Sequence, residues 1–164
     1  IYTYQGTIQV SYNGFTNDSV FLNTTLSLPC FRNTDIAASN SYTMTDSLIK
    51  INISRISDVN NVNRCSFNLT LNEKNNLPFN MIFYSMSYNN TAGNKNDVFF
   101  NTSYTGFPND SCKIYDISFN KETGKFTGKF THTKRTYYYS SGSKKALYKL
   151  MTVSGNIDVV LNKL

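Results

Sequence analysis

The chain has 164 residues, a net charge of +6, and an aromatic content of 12 Tyr and 12 Phe without Trp. This length fits a single domain spanning residues 1–164, and it is enough to bury a core without covalent staples. No apolar run approaches the ~20 residues of a membrane-spanning helix, and the first residues read as a strand rather than a signal peptide. We therefore expect a soluble domain whose targeting signal, if it had one, has been removed.

Apolar and polar residues alternate from the start of the chain, which predicts strands with one buried face and one wet face. The first strand is predicted over residues 2–12. Asn13-Gly14 favours positive backbone φ angles and predicts a hairpin turn into a second strand near residues 19–28. Pro29 ends that strand, and residues 30–46 are expected to form a long polar loop.

The middle of the chain continues the pattern. One-sided strands are predicted over residues 49–53 and 65–71, where every second residue is apolar. Residues 79–88 are apolar on both parities, which is typical of a strand covered on both faces, so we expect this strand at the centre of the domain. Two further strands are predicted over residues 97–105 and 112–119.

The last part of the chain supplies the closing strands. Glu122-Thr123-Gly124 is expected to turn the chain into a strand at residues 126–130, and two more strands are predicted near 146–153 and 155–162. A single open sheet of about eight to ten strands would leave an apolar face and two edges unprotected. We predict an all-β, single-domain antiparallel β-sandwich, with a lipocalin-like barrel as the alternative.

The predicted core consists of apolar residues at buried parities of these strands. It comprises Ile8, Val10, Val20, Leu22, Leu26, Ile51, Ile53, Phe67, Leu69, Met81, Phe83, Phe126, Phe130, Ile157 and Val159.

The three cysteines, Cys30, Cys65 and Cys112, are too far apart in the sequence for a zinc site, and the chain has a single histidine. We predict no metal site and no cofactor. An odd number of cysteines permits one disulfide with one leftover thiol, or three buried thiols that pack as small apolar groups. For a secreted domain we expect one disulfide, with its pairing open.

Seven Asn-x-Ser/Thr triplets make glycosylation an option, although chance alone supplies about five in a chain this rich in Asn, Ser and Thr. The glycosylation candidates are Asn17, Asn23, Asn52, Asn68, Asn89, Asn101 and Asn109.

Three segments stand out near the C-terminus: DISFN at residues 116–120, TGKFTGKF at 123–130, and VSGNIDV at 153–159. Together they resemble the closing strands of small secreted β domains found in Bacteroidetes lipoproteins. Those strands show an Asp and an Asn before a turn, a G-x-F-x-G-x-F strand, and a last strand of the form I-T-x-G-x-F-D-V. Here Ile157 stands where Phe is commoner, and the basic insert between the closing strands is long. The resemblance covers the C-terminal third and implies a secreted location without catalytic residues.

Candidates for catalysis are few. His132 is expected on the polar face of the 126–130 strand, as an exposed surface histidine rather than a general base. The ten carboxylates are scattered and form no paired-acid motif. We therefore predict that the chain is not an enzyme.

Positive charge is concentrated in the last third. Residues 1–112 carry 6 basic and 7 acidic side chains, whereas residues 113–164 carry 10 basic and 3 acidic ones. Cations and tyrosines interleave there in a predicted loop. Such a loop could bind an acidic partner, or its lysines could protect a sheet edge. No nucleic-acid-binding signature is present, so nucleic acid is not the expected partner. The predicted binding residues are Lys134, Arg135, Tyr137, Tyr138, Tyr139, Lys144, Lys145, Tyr148 and Lys149.

Two functions are consistent with these features. The first is a non-catalytic secreted or cell-surface domain that binds a glycan or a protein through its loops. The alternative is a structural subunit of a surface fibre or layer, in which an edge strand such as residues 2–12 pairs with a neighbouring copy.

Overall fold

The computed structural model describes residues 2–16, 20–57, 63–78, 82–90, 98–106, 109–139 and 146–164. Ten strands of six or more residues form two sheets that pack face to face around a shared apolar core. The predicted all-β sandwich is confirmed, and the alternative of a single closed barrel is wrong because the strands divide between two separate sheets.

The described elements follow one another as strands, with one short helical stretch. In chain order they are β1 (Tyr2–Thr3), β2 (Gly6–Phe15), β3 (Phe21–Leu28), β4 (Phe31–Arg32), a 3₁₀ turn (Asn33–Asp35), α1 (Ile36–Ser39), β5 (Asn40–Thr45), β6 (Leu48–Ile56), β7 (Arg64–Asn72), β8 (Ile82–Asn90), β9 (Val98–Gly106), β10 (Cys112–Phe119), β11 (Lys125–Tyr139), β12 (Ala146–Val160) and β13 (Asn162–Lys163).

The first sheet has the strand order β10-β11-β12-β2-β3, and the second has the order β13-β5-β6-β7-β8-β9. A small third sheet pairs β1 with β4. The pairing of β13 with β5 is parallel, and the other pairs among the described strands are antiparallel.

Aromatic pairs join the two sheets. The ring centroids of Phe67 on β7 and Phe130 on β11 lie 4.9 Å apart. Tyr12 on β2 meets Phe100 on β9 edge to face, at 5.9 Å between centroids. Because each pair takes one ring from each sheet, the aromatic side chains fix how the sheets stack.

Most of the predicted core is confirmed. Val20 is the exception, because it lies ahead of β3 and is 40% exposed. Leu26 is only partly buried, and the side chains of Met81 and Phe83 lie outside the described residues. The confirmed core residues are Ile8, Val10, Leu22, Ile51, Ile53, Phe67, Leu69, Phe126, Phe130, Ile157 and Val159.

The predicted turn at Asn13-Gly14 is wrong, since both residues lie inside β2. Gly14 has φ +143°, and a Cβ atom there would stand 2.2 Å from the carbonyl oxygen of Leu150. The glycine is needed because β12 passes too close for any side chain. The chain turns instead between Thr16 and Val20, whose backbones are joined by a 2.8 Å hydrogen bond from the Thr16 N–H.

The predicted loop over residues 30–46 is also wrong. It contains β4, α1 and the sheet strand β5. Asn40 and Ser41 begin β5 and are fully buried, so polar residues that suggested a loop face the protein interior.

The strand predicted over residues 79–88 corresponds in its described part to β8, which lies beside the outermost strand β9 rather than at the centre. We also expected both faces of this strand to be covered, but most of the side chains concerned lie outside the described residues. Within residues 2–12, the residues of β2 do not lie at a sheet edge, since β2 pairs with β12 on one side and β3 on the other. Strand addition to β2 would require one of these two pairings to open.

The expected disulfide is not formed. No disulfide joins Cys30, Cys65 and Cys112, and all three are buried. Burial raises the pKa of the Cys65 thiol well above its ordinary value, so this residue packs as a neutral, small apolar group.

Arg55 on β6 is fully buried and shares the parity of the buried residues Ile51 and Ile53. Its guanidinium lies 4.9 Å above the ring of Phe31. Burial lowers the pKa of Arg55 to about 10, so the side chain is still protonated at neutral pH. The guanidinium donates five hydrogen bonds of 2.6 to 3.2 Å, to the backbone carbonyls of Gln5, Gly6, Ser39 and Ser54 and to Oδ1 of Asn40.

The partners of Arg55 are themselves tied to both ends of the chain. The Asn40 amide Nδ2 donates to Gln5 Oε1 at 2.7 Å and to the Val160 carbonyl at 2.9 Å. The Val160 N–H in turn donates to the Gln5 carbonyl at 3.0 Å. Arg55, Asn40 and Gln5, here called the Arg55 cluster, therefore join the start of β2, the start of β5 and the end of β12.

Candidate binding face at the hairpin end

The longest hairpin of the domain extends past its neighbours. β11 and β12 pair from Lys125 opposite Val160 to Tyr139 opposite Ala146. β10 accompanies β11 only as far as His132, and β2 accompanies β12 only as far as Met151. Residues 134–139 and 146–150, here called the hairpin end, therefore project beyond both flanking strands. They are strand residues rather than the predicted loop.

A row of four side chains crosses the outer face of the first sheet near the hairpin end. Arg135 on β11 is opposite Leu150 on β12. Gly14 on β2 is paired with Met151, so the next residue of β2, Phe15, lies beside Leu150. On its other side, Phe15 is opposite Phe21 on β3. Adjacent strands lie about 4.8 Å apart, so these residues span roughly 14 Å. We call Arg135, Leu150, Phe15 and Phe21 the outer row.

The outer row is open to solvent and combines apolar and cationic groups. Phe21 is 56% exposed and Leu150 is 42% exposed. The Arg135 guanidinium lies 5.0 Å from the ring centroid of Tyr148, and Lys149 Nζ lies 4.5 Å from that of Phe15. Exposed aromatic surface of this kind marks interaction sites, and here each cation is held next to a ring.

A side groove adjoins the row where the two sheets meet. It has a volume of 460 Å³ and is lined by residues 101–103 of β9 and 132–135 of β11. Lys134 spans it, because its Nζ donates to the Asn101 carbonyl at 3.0 Å and lies 5.5 Å from the ring centroid of Phe100. The groove therefore offers cationic and hydroxyl groups on opposite walls.

His132 is not the exposed surface histidine expected from the sequence, since only 8% of it is exposed. It shares the parity of Phe126 and Phe130, which is the buried face of β11. The Ser111 carbonyl can only accept, so His132 Nδ1 carries the hydrogen of the 3.2 Å bond. The Thr102 hydroxyl then donates to Nε2 at 3.0 Å. Burial, more than the charge of Lys134, lowers the pKa of His132.

A threonine hydroxyl, a histidine and an orienting carbonyl superficially match a nucleophile, its base and a positioning group. Thr102 and His132 are both more than nine-tenths buried, however, with 7% and 8% of their surfaces exposed. The two side chains bond to each other in the wall of the side groove. The pair acts as a bond between β9 and β11.

Charge is distributed unevenly along the hairpin. Three salt bridges lie within the described residues, and all three involve lysines of the segment 121–129. Lys125 pairs with Asp158, and Lys129 pairs with Asp116 at 3.5 Å. Carboxylates thus neutralise two lysines of β11 that lie roughly 20 to 33 Å along the strand from Arg135. The hairpin end keeps its cations beside aromatic rings instead.

The structure brings together four of the predicted binding residues, Lys134, Arg135, Tyr148 and Lys149. The backbones of residues 137–139 lie in β11, whereas their side chains are outside the described residues, as are Lys144 and Lys145 altogether.

Sequence reasoning missed Phe15 and Phe21. Both stand on the odd parity of β2 and β3, whereas the buried residues Tyr12 and Leu22 stand on the even parity. An aromatic residue on the polar parity was therefore the available signal. Their meeting with the hairpin end depends on strand order, which alternation does not predict.

The glycosylation candidates differ in accessibility. Asn23, Asn68 and Asn101 are exposed, and Asn52 is half-buried. The Asn109 amide Nδ2 donates to the Tyr104 hydroxyl at 3.0 Å, so a glycan there would break an existing bond. Asn17 and the side chain of Asn89 lie outside the described residues.

A scan of protein-family models and searches of curated proteins and of solved structures found no match to this chain. Within the described ranges, no helix has the length and apolar character needed to cross a bilayer. In the same part of the chain, no three His, Cys, Asp or Glu side chains come close enough together to hold a metal ion.

Proposed function

We propose that this chain is a non-catalytic domain that binds an acidic glycan on the outer face of its hairpin end. The observation that carries the proposal is the outer row, in which apolar side chains from three adjacent strands stand beside the cations Arg135 and Lys149. The proposal keeps the binding function expected from the sequence, with the binding surface on a sheet face rather than on loops.

The apolar part of the row favours a sugar chain. Phe15 and Phe21 contact each other edge to face at 5.3 Å between centroids, with Leu150 and Tyr148 alongside. The C–H groups on one face of a pyranose ring pack against such a surface, and the hydroxyl groups stay in water. A row that spans several strands suits an extended polymer better than a single small molecule.

The cationic part favours an acidic glycan. Arg135 presents a planar guanidinium that matches carboxylate or sulfate oxygens, and Lys149 and Lys134 add charge nearby. The three salt bridges of the described residues lie towards the other end of the hairpin, so the net positive field is strongest at the hairpin end.

A glycan ligand agrees with a secreted or cell-surface location, which remains part of the proposal together with the resemblance to lipoprotein domains. The absence of enzymatic turnover is likewise proposed. Activity on a panel of glycoside and ester substrates that disappears in His132→Ala would contradict it.

The test compares two polymers that share one backbone, dextran and dextran sulfate, in isothermal titration with the intact chain. We expect binding to dextran sulfate that weakens as salt rises, because charge attraction falls away within a Debye length of about 8 Å at physiological salt. Arg135→Gln should weaken binding about tenfold, since a hydrogen bond to a charged group contributes about 1.5 kcal/mol or more.

The matched control removes the same charge from the same strand. Lys125 and Lys129 lie towards the other end of β11, where each is paired with a carboxylate. The variants Lys125→Gln and Lys129→Gln should therefore leave binding almost unchanged. Phe21→Ser, which changes no charge, should weaken binding as well. Equal losses in the Arg135 and Lys129 variants would show that binding reports net charge alone, and the proposal would then be wrong.

A further inference from the structure

The outermost strand of the first sheet, β3, is an unusually plain edge. Its sequence from Phe21 to Leu28 contains no charged residue and no proline. Its register with β2 runs without interruption from Phe15 opposite Phe21 to Ile8 opposite Leu28. Among the described residues no strand pairs with its other side. Such a regular, uncharged edge is a template for pairing with another strand.

The three other terminal strands of the two main sheets, β10, β13 and β9, carry protective features. β10 has Lys113 and a register shift between Tyr115 and Ser118, where Asp116 adopts φ +51°. β13 is only two residues long. On β9 the outward carbonyl of Asn101 accepts a hydrogen bond from Lys134. Charges, bulges, short strands and blocked carbonyls all oppose pairing, and β3 has none of them.

The groups that β3 offers follow from its pairing with β2. The Thr16 N–H donates to the Val20 carbonyl, so these two residues form a hydrogen-bonded pair. Hydrogen-bonded and non-hydrogen-bonded pairs alternate in an antiparallel ladder. Residues 21, 23, 25 and 27 therefore point their N–H and C=O groups away from β2, towards the open edge. In the isolated chain these groups bond to water.

We propose that β3 pairs antiparallel with β3 of a second copy of this chain, about a two-fold axis at Thr24. In this register residues 21–27 of the two copies overlap, Phe21 lies opposite Ser27 of the second copy, and Asn23 lies opposite Thr25. This register makes about eight backbone hydrogen bonds, two for each outward-facing pair. The two five-stranded sheets become one continuous sheet of ten strands.

A second copy suits this edge better than a charged partner. At the two-fold axis Thr24 meets its own counterpart, so a charged residue at or beside this position would lie close to the same charge on the second copy, and β3 contains none. On the inner face, Leu22 would lie opposite Leu26, which is only partly buried in the single chain. The contact uses the β3 edge of both copies and leaves no β3 edge open, so assembly through this strand stops at a dimer.

The test is sedimentation equilibrium of the full chain, made without glycosylation, from low micromolar to several hundred micromolar. We expect the mass to rise from one chain to two. Asn23→Lys should weaken the dimer at least about tenfold, because it places two like charges on neighbouring strands. Asn13→Lys is the matched control, because Asn13 is paired with Asn23 one strand inward and on the same face of the sheet. This variant should dimerise like the original chain.

A second pair of variants tests the backbone itself. Thr25→Pro removes one outward N–H at the proposed contact, and edge strands tolerate proline where the N–H faces solvent. Thr25→Ala keeps that N–H while losing only the 2.8 Å contact of its hydroxyl with Ser11. We expect a monomer for the proline variant and a dimer for the alanine variant, both with the circular dichroism of the original fold. A chain that stays monomeric at every concentration, or a dimer indifferent to Asn23→Lys and Thr25→Pro, would overturn the proposal.

Discussion

The two ends of the sandwich hold arginines in opposite surroundings. Arg55 is fully buried and surrounded by carbonyl oxygens, whereas Arg135 is exposed and lies beside one tyrosine ring. Five hydrogen bonds satisfy the Arg55 guanidinium, so it has no capacity left for a ligand. The Arg135 side chain is exposed, and its guanidinium lies beside the ring of Tyr148. The comparison shows that the same side chain supports the fold at one end and offers a binding group at the other.

The largest expected effect distinguishes these two arginines directly. Arg55→Met should lower the free energy of unfolding by more than about 4 kcal/mol, because it leaves several buried acceptors without donors at about 1 to 3 kcal/mol each. Arg135→Met should change it by less than about 0.5 kcal/mol, as expected for an exposed site. Urea unfolding measures both. A loss below about 1 kcal/mol for the Arg55 variant would mean that the Arg55 cluster is not structural.

Two phenylalanines extend the comparison to apolar side chains. Phe67→Ala should lower the free energy of unfolding by about 3 to 4 kcal/mol, since it opens a cavity where the two sheets meet. Phe21→Ala should lower it by less than about 1 kcal/mol, because more than half of that side chain is already in water. Urea unfolding of both variants, followed by dextran sulfate titration, should give opposite orders of stability and binding loss. Equal stability losses would contradict the assignment of Phe21 to a binding surface.

A smaller effect concerns pH and the histidine between the two ends. Burial lowers the pKa of His132 in the folded chain below its ordinary value of 6.5. As the pH falls through about 6.5, the unfolded chain binds a proton that the folded chain does not yet bind, so stability decreases. His132→Gln removes this contribution. We expect the free energy of unfolding to fall less between about pH 7.5 and pH 5 in the variant than in the original chain.

The pH prediction has a direct check by nuclear magnetic resonance. Titration of the His132 ring protons should give a pKa below 6.5. A pKa at or above the ordinary value would mean that the ring is accessible to water, and the bond to Thr102 would then be too weak to hold it.

The fold was predictable where a strand buries one face and wets the other. Alternation around Ile8, Ile51 and Phe67 indicates which parity is buried, and these residues are in the core. The alternation pattern did not predict the structure where polar residues are buried. Asn40 reads as part of a loop because its partners, Gln5 and Arg55, are distant in sequence and only meet it in the folded chain.

The candidate site was predictable only in part, for a related reason. The clustering of Lys134, Arg135 and Lys149 with tyrosines is visible in the sequence. Their proximity to Phe15 and Phe21 requires knowing that β12 lies between β11 and β2, and strand order is not encoded in local alternation. Arg55 did carry a local signal, since it continues the buried parity of the preceding isoleucines on β6.

The Arg55 cluster also constrains the order in which the chain assembles. β6 and β7 can form a local hairpin early, yet in that hairpin the guanidinium of Arg55 must remain hydrated. Its acceptors at Gln5 and Gly6 are 50 and 49 residues away, and Asn40 is linked to Val160 near the other end of the chain. Arg55 therefore becomes buried late, when both terminal segments dock together. The same coupling acts in reverse, and release of either segment returns a charge to water, so we expect the sandwich to unfold as one cooperative unit.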